Sequence, residues 1–173
     1  MNVVLGDKLR FAAEIGEPGP LRRVDLWAVG KWLTCDDNMA YGPQFRRDVL
    51  DTAAWLRSGE GSPQPFAGLS AEAAHRRLVR STTNDDESEA AYRLHGRFRA
   101  LLWGPTTDNV LAHLFREEDR LVITLEFWRE EHLLSRPEDV GTVFVVEIPA
   151  DEFVGILEDI AAALGTTRSE SRS

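Results

Sequence analysis

Leu121-Val122-Ile123-Thr124-Leu125-Glu126-Phe127-Trp128-Arg129-Glu130-Glu131 is the stretch on which the fold turns. Successive side chains of a strand point to opposite sides. Leu121, Ile123, Leu125 and Phe127 therefore share one face, and Val122, Thr124, Glu126, Trp128 and Glu130 share the other. The alternation predicts a strand with one dry face and one partly wet face. Apolar runs lie before it at Val110–Phe115 and after it at Val143–Ile148, which makes it the centre of an antiparallel sheet. Asp108–Glu117 and Leu121–Glu130 read as a hairpin across Glu118-Asp119-Arg120.

Towards the N-terminal side, Lys8–Ile15 alternates Leu9, Phe11, Ala13 and Ile15 with Lys8, Arg10 and Glu14, a first strand. The breaker cluster Gly16-Glu17-Pro18-Gly19-Pro20 is a loop. A second strand over Arg23–Leu33 completes a hairpin; it is apolar on both faces, with Trp27, Val29 and Leu33 opposing Val24, Leu26, Ala28 and Trp32. Cys35-Asp36-Asp37-Asn38 is a polar turn. Pro43 prepares a helix over Gln44–Arg57, in which Phe45, Val49, Ala53 and Leu56 keep helical spacing. Ser58–Pro65 is a connector, and Ser70 is placed to cap a helix that fades by Arg80. Ser81–Glu89, polar and without an apolar anchor, reads as mobile.

Ala91, Leu94, Phe98, Leu101 and Leu102 continue in helical spacing up to Gly104-Pro105, with strand as the alternative for Phe98–Trp103. Ser135–Gly141 is a loop, Thr142–Ile148 is the last strand, and the closing helix aligns Phe153, Leu157, Ile160, Ala161 and Leu164. Strands and helices are largely segregated, which predicts an α+β fold: a single antiparallel sheet of about five strands with about three to four helices packed mainly on one face. Residues 1–165 form the expected single domain and 166–173 a disordered tail.

Acidic residues outnumber basic ones 29 to 20 in the 173 residues, giving a net charge of −9. That balance opposes binding to nucleic acid or to an anionic membrane and favours encounter with a cationic partner. No apolar run approaches the roughly 20 residues of a membrane span, and the start does not read as a signal peptide, so the expectation is a cytoplasmic protein. Cys35 is the single cysteine, and His75, His95, His113 and His132 are scattered without zinc-ligand spacing.

No motif supports an enzyme class. Asp36-Asp37-Asn38 lacks the alternating ligands, glycine and distant Glu of a calcium loop. Adjacent Glu130 and Glu131 on a strand would not converge on one substrate atom. The acids beside Cys35 oppose a reactive thiolate, and Gly104-Pro105-Thr106-Thr107-Asp108 lacks the lysine of a phosphate-binding loop. No cofactor and no metal site are expected. Trp55 and Trp103, on helical patterns, read as core. Trp27 and Trp128 stand among charges, with Asp25, Glu126 and Glu130 on the same faces. An aromatic ringed by carboxylates is a hot-spot composition for a protein interface, provided no helix covers those faces.

The opening Gly6-Asp7-Lys8-Leu9-Arg10-Phe11-Ala12 leads into a strand, a tryptophan-bearing second strand and the turn Leu33-Thr34-Cys35-Asp36-Asp37-Asn38. With the late Val122–Trp128 strand and the closing helix, this resembles immunity proteins of bacterial polymorphic toxin systems. The likeness is to small α+β families in which a short GD-x-x-x-F opening precedes a tryptophan-rich sheet. It implies a cytoplasmic, non-enzymatic protein that binds and blocks a cognate toxin domain, and it carries over no catalytic residue. From charge, the toxin domain would be basic; from composition, the contact residues would be Asp25, Trp27, Glu126, Trp128 and Glu130. Two rivals come from other classes. One is a small-molecule-binding or enzymatic domain with a pocket between the sheet and the Ser58–Glu89 region, including His95 or His113. The other is an oligomer-forming domain that pairs the same aromatic face with itself.

Overall fold

A computed structural model of the protein describes residues 2–80 and 88–165. The described chain divides into two compact units. The first takes the residues up to Glu60, Trp103–Asp108 and the chain from Asp151; the second takes Gly61–Leu102 and Asn109–Ala150.

In the first unit, β1 (Val3–Asp7), β2 (Phe11–Ile15), β3 (Arg22–Ala28) and β4 (Lys31–Trp32) are neighbours in that order, all antiparallel, and β5 (Met39–Ala40) pairs with the start of β3. The expected strand Lys8–Ile15 begins only at Phe11, because Lys8–Arg10 turn the chain. Asp7 Oδ1 accepts the Leu9 N–H at 2.9 Å and its carbonyl accepts the Arg10 N–H at 2.9 Å, an aspartate-initiated turn. The second strand stops at Ala28 rather than Leu33: Val29 (φ 52°) and Gly30 (φ 73°) both enter the left-handed region and form a tight hairpin into β4. Helix α1 (Gly42–Arg57) starts at Pro43 as the sequence suggests and buries Phe45, Val49, Ala53 and Leu56. Trp55 lies off that stripe and is 43% exposed, which corrects its reading as core. Trp103 is core, but from a loop: it meets Phe45 edge-on, and its indole N–H donates to Thr52 Oγ1 at 3.0 Å. The closing helix α5 (Ala150–Gly165) brings Phe153 edge-on to Phe11 at 5.0 Å.

The second unit holds α2 (Ala71–Arg80), α3 (Ser88–Phe98), β6 (Arg99–Ala100), β7 (Val110–Glu117), β8 (Arg120–Phe127), the short helix α4 (Glu130–Ser135) and β9 (Phe144–Pro149). Its sheet runs β6-β7-β8-β9, antiparallel throughout. The predicted hairpin is present in register, with Leu121 opposite Arg116 and Phe127 opposite Val110. Ser70 caps α2, its Oγ accepting the Ala73 N–H at 3.1 Å. Ala74 and Leu78 of α2 and Phe98 of α3 pack with Phe115 and Val122 into a core over one face of this sheet.

The α+β class holds. The strands, however, divide between a five-stranded and a four-stranded sheet rather than forming one, and five α-helices occur among the described residues. Strands pair with partners near in sequence because short loops cost least to close. The two strand groups are separated by the helices that occupy much of Gly42–Phe98. The expected tail 166–173 and most of the segment Ser81–Glu89 lie outside the described residues.

Candidate functional site

The two faces of β8 answer the question posed by its alternation. Leu121, Ile123, Leu125 and Phe127 are buried, as expected of the dry face. On the other face Val122 and Thr124 are buried as well, beneath α2. Glu126, the next residue of that face, is half-buried with its Oε1 3.4 Å from His75 Nε2. The strand then ends at Phe127. The expected continuation to Glu130 is replaced by a turn into α4, where the Arg129 carbonyl accepts the Leu133 N–H at 3.1 Å. Trp128 thereby projects beyond the sheet with 55% of its surface exposed. Glu130 and Glu131 are exposed in the first turn of α4 and not at a strand end.

Leu134 is exposed in the same helix, three residues from Glu131 and four from Glu130, a spacing that places all three on one side. Val140 is exposed just beyond it. The segment is tied down from beneath. The His132 ring stacks on Phe127 at 3.9 Å, and its Nε2 lies 2.7 Å from Asp139 Oδ2, with both side chains largely buried. An apolar and acidic patch on a fixed support is the arrangement that binds another protein with little ordering cost.

Asp25 and Trp27 belong to the first unit and occupy one face of its sheet. Asp25 is only 5% exposed. Its carboxylate accepts the Trp32 indole N–H at 2.9 Å, an Asn38 amide N–H at 2.8 Å and the Arg23 Nε–H at 2.8 Å. This carboxylate organises the turn after β4, and the structure puts it inside rather than at a surface. Trp27 is half-buried, stacked on Trp32 at 6.1 Å with Lys8 Nζ 4.5 Å above its ring. Its ring nitrogen is enclosed without a hydrogen-bond partner. Asn38 of the Asp36-Asp37-Asn38 turn thus turns inward to Asp25.

What the sequence reading missed is a chain of three histidines in the second unit. His75, His95 and His113 are all buried. His113 Nδ1 lies 2.9 Å from His75 Nδ1, and its Nε2 lies 3.0 Å from His95 Nδ1. His75 Nδ1 also lies 2.7 Å from Thr124 Oγ1. The three are far apart in sequence, so no spacing motif marks them. The available signal was their placement: His75 three residues before Leu78, His95 three before Phe98, and His113 two before Phe115, each on the inward side of its element. His113 uses opposite nitrogens for its two neighbours, so the imidazoles form a row and do not converge on a point. Among the described residues no three His, Cys, Asp or Glu side chains are grouped to hold a metal ion.

A cleft of about 150 Å³ in this unit is lined by Gln64, Leu69, Phe115, Arg120 and Glu147 among others. His95 and His113 are packed in the core and do not line it, contrary to the expectation for a small-molecule pocket. No helix among the described residues is long and apolar enough to cross a membrane.

No family model matches the chain, and no curated protein does. Among solved structures, the chain is similar to the crystal structure of CdiI from Burkholderia dolosa AUO158, with a TM-score of 0.59 and 12% sequence identity, over 93% of this chain and 99% of that one. At this identity the likeness is one of fold.

Proposed function

We propose that this chain is a cytoplasmic, non-enzymatic immunity protein that binds and blocks a cognate toxin domain. The observation that carries this reading is the likeness to CdiI along nearly the whole of both chains. The opening Gly6–Ala12 and the rhythm of the late strands, which resemble immunity proteins, support it from the sequence. The contact surface proposed in the second unit is Trp128 with Glu126 and Glu130, extended by Glu131, Leu134 and Val140. In the first unit Trp27 is the proposed contact, with Asp25 acting behind it by fixing the stacked Trp32. A net charge of −9 suits a basic toxin domain, because opposite charge speeds encounter and discourages wrong partners.

The test is co-expression with the toxin domain encoded beside this gene, read as rescue of growth and as affinity by calorimetry. Trp128→Ala combined with Glu130→Lys is expected to weaken binding by at least about 100-fold, the scale of an aromatic hot spot, with the circular dichroism spectrum unchanged. Undiminished affinity in the folded double variant would remove this surface from the proposal. No rescue by the unaltered chain would remove the pairing with that toxin.

A further inference from the structure

The histidine row brings three buried imidazoles within hydrogen-bond distance of one another. Glu126 Oε1 lies 3.4 Å from His75 Nε2, which has no hydrogen-bond partner, and Thr124 Oγ1 lies 2.7 Å from His75 Nδ1. His113 Nδ1 lies 2.9 Å from His75 Nδ1 and His113 Nε2 lies 3.0 Å from His95 Nδ1, and each contact needs one hydrogen and one lone pair between its two nitrogens. Each imidazole comes from a different element: His75 from α2, His95 from α3 and His113 from β7, with Thr124 and Glu126 on β8 below them. The three rings thus join two helices to two strands.

We propose that the His75–His113–His95 row is an acid-released clamp, which ties α2 and α3 to the second unit's sheet through contacts between buried imidazoles and lets go when His113 and His95 take up protons. A protonated imidazole has two donors and no acceptor. With His113 and His95 both protonated, the His113 Nε2–H would face the His95 Nδ1–H donor to donor. The charge would also be poorly compensated, because Arg99 of β6 faces His113 and His95 with its own positive charge. Glu126 pairs with His75. Among the other charged side chains of α2 and α3, Arg76 donates to the Gly141 carbonyl, Arg77 lies over Phe66, Arg97 donates to Ser62 Oγ, and Glu72, Arg80 and Arg93 are exposed.

Burial, reinforced by His75, His95 and Arg99, pushes His113 down to about 2; burial and then Arg99 and His75 lower His95 too. In an unfolded chain a histidine titrates near 6.5. The clamp is therefore at full strength above that value. As pH falls below it, the open state binds protons that the closed state refuses, and the opening constant rises about tenfold per pH unit for each such ring.

The experiment uses the full chain at pH 8 to 5. Nitrogen-15 spectra of the imidazoles report tautomer and charge, and amide hydrogen exchange, corrected for intrinsic rates, reports the opening of α2. The expected result is a His113 that stays neutral in the folded protein across this range. Protection of the Ala74–Val79 amides should fall at least tenfold more between pH 7 and 5 than that of Phe11–Ile15. In His113→Phe the excess loss of α2 protection should vanish; if that variant does not fold, the unaltered chain decides alone. A His113 that titrates near 6.5 with α2 still protected, or equal changes in α2 and β2, would overturn the clamp.

Discussion

Asp25 illustrates what a single carboxylate does when the chain folds back over it. Alternation places it on the face of Trp27, and nothing local announces that Val29 and Gly30 will turn the chain so that Trp32 and Asn38 reach it. Asp25→Ala should destabilise the fold by about 1–3 kcal/mol, because the Trp32 and Asn38 donors lose a largely buried acceptor; the partly exposed Arg23 adds little. A lowered urea midpoint with an unchanged slope checks this, and Asp25→Asn should recover part of the loss. The tryptophans divide by the same logic. Helical spacing names a stripe only to within a residue or two, so Trp55 falls outside it, whereas Trp103, read as core from a helical pattern, is core from a loop, held by Phe45 and Thr52.

At the scale of elements, legibility followed the strength of local chemistry. Helix α2 was readable because a capping serine and an apolar repeat agree, and the cap is there in the structure. Ser70→Ala should cost about 1 kcal/mol, measurable as a lower midpoint in thermal unfolding, since one helix-start N–H loses its acceptor. The end of β8 was not readable. Alternation runs on through Trp128 and Glu130, yet the chain turns at Arg129 because α4 can be pinned by His132 to Phe127 and Asp139. That pin joins residues seven apart across a turn, a contact that period-two patterning cannot encode. Trp128 and Glu130 are exposed, and their local setting comes from a helix the pattern hid.

For the molecule as a whole, class was legible and sheet count was not. Segregated strands and helices indicated α+β, but pairing partners depend on contacts between segments that a single chain does not spell out. The likeness to CdiI sits at that same level, an agreement of architecture at 12% identity. One feature of the first sheet bears on how the chain behaves in company. Strand β1 lies at the sheet's edge, with Val3 and Val4 exposed, and it covers β2, whose Phe11, Ala12, Ala13 and Ile15 are fully buried. Gly6 (φ 81°) lets the two strands close up, since a methyl group there would collide with the Phe11 carbonyl oxygen. Deleting residues 2–7 would strip β2 of its neighbour and leave an apolar strand with unsatisfied backbone groups, a template for strand addition by other copies. The shortened chain should sediment as aggregates while its far-ultraviolet spectrum still reports strand. Strand β1 thus serves as a solubility tag folded into the sheet.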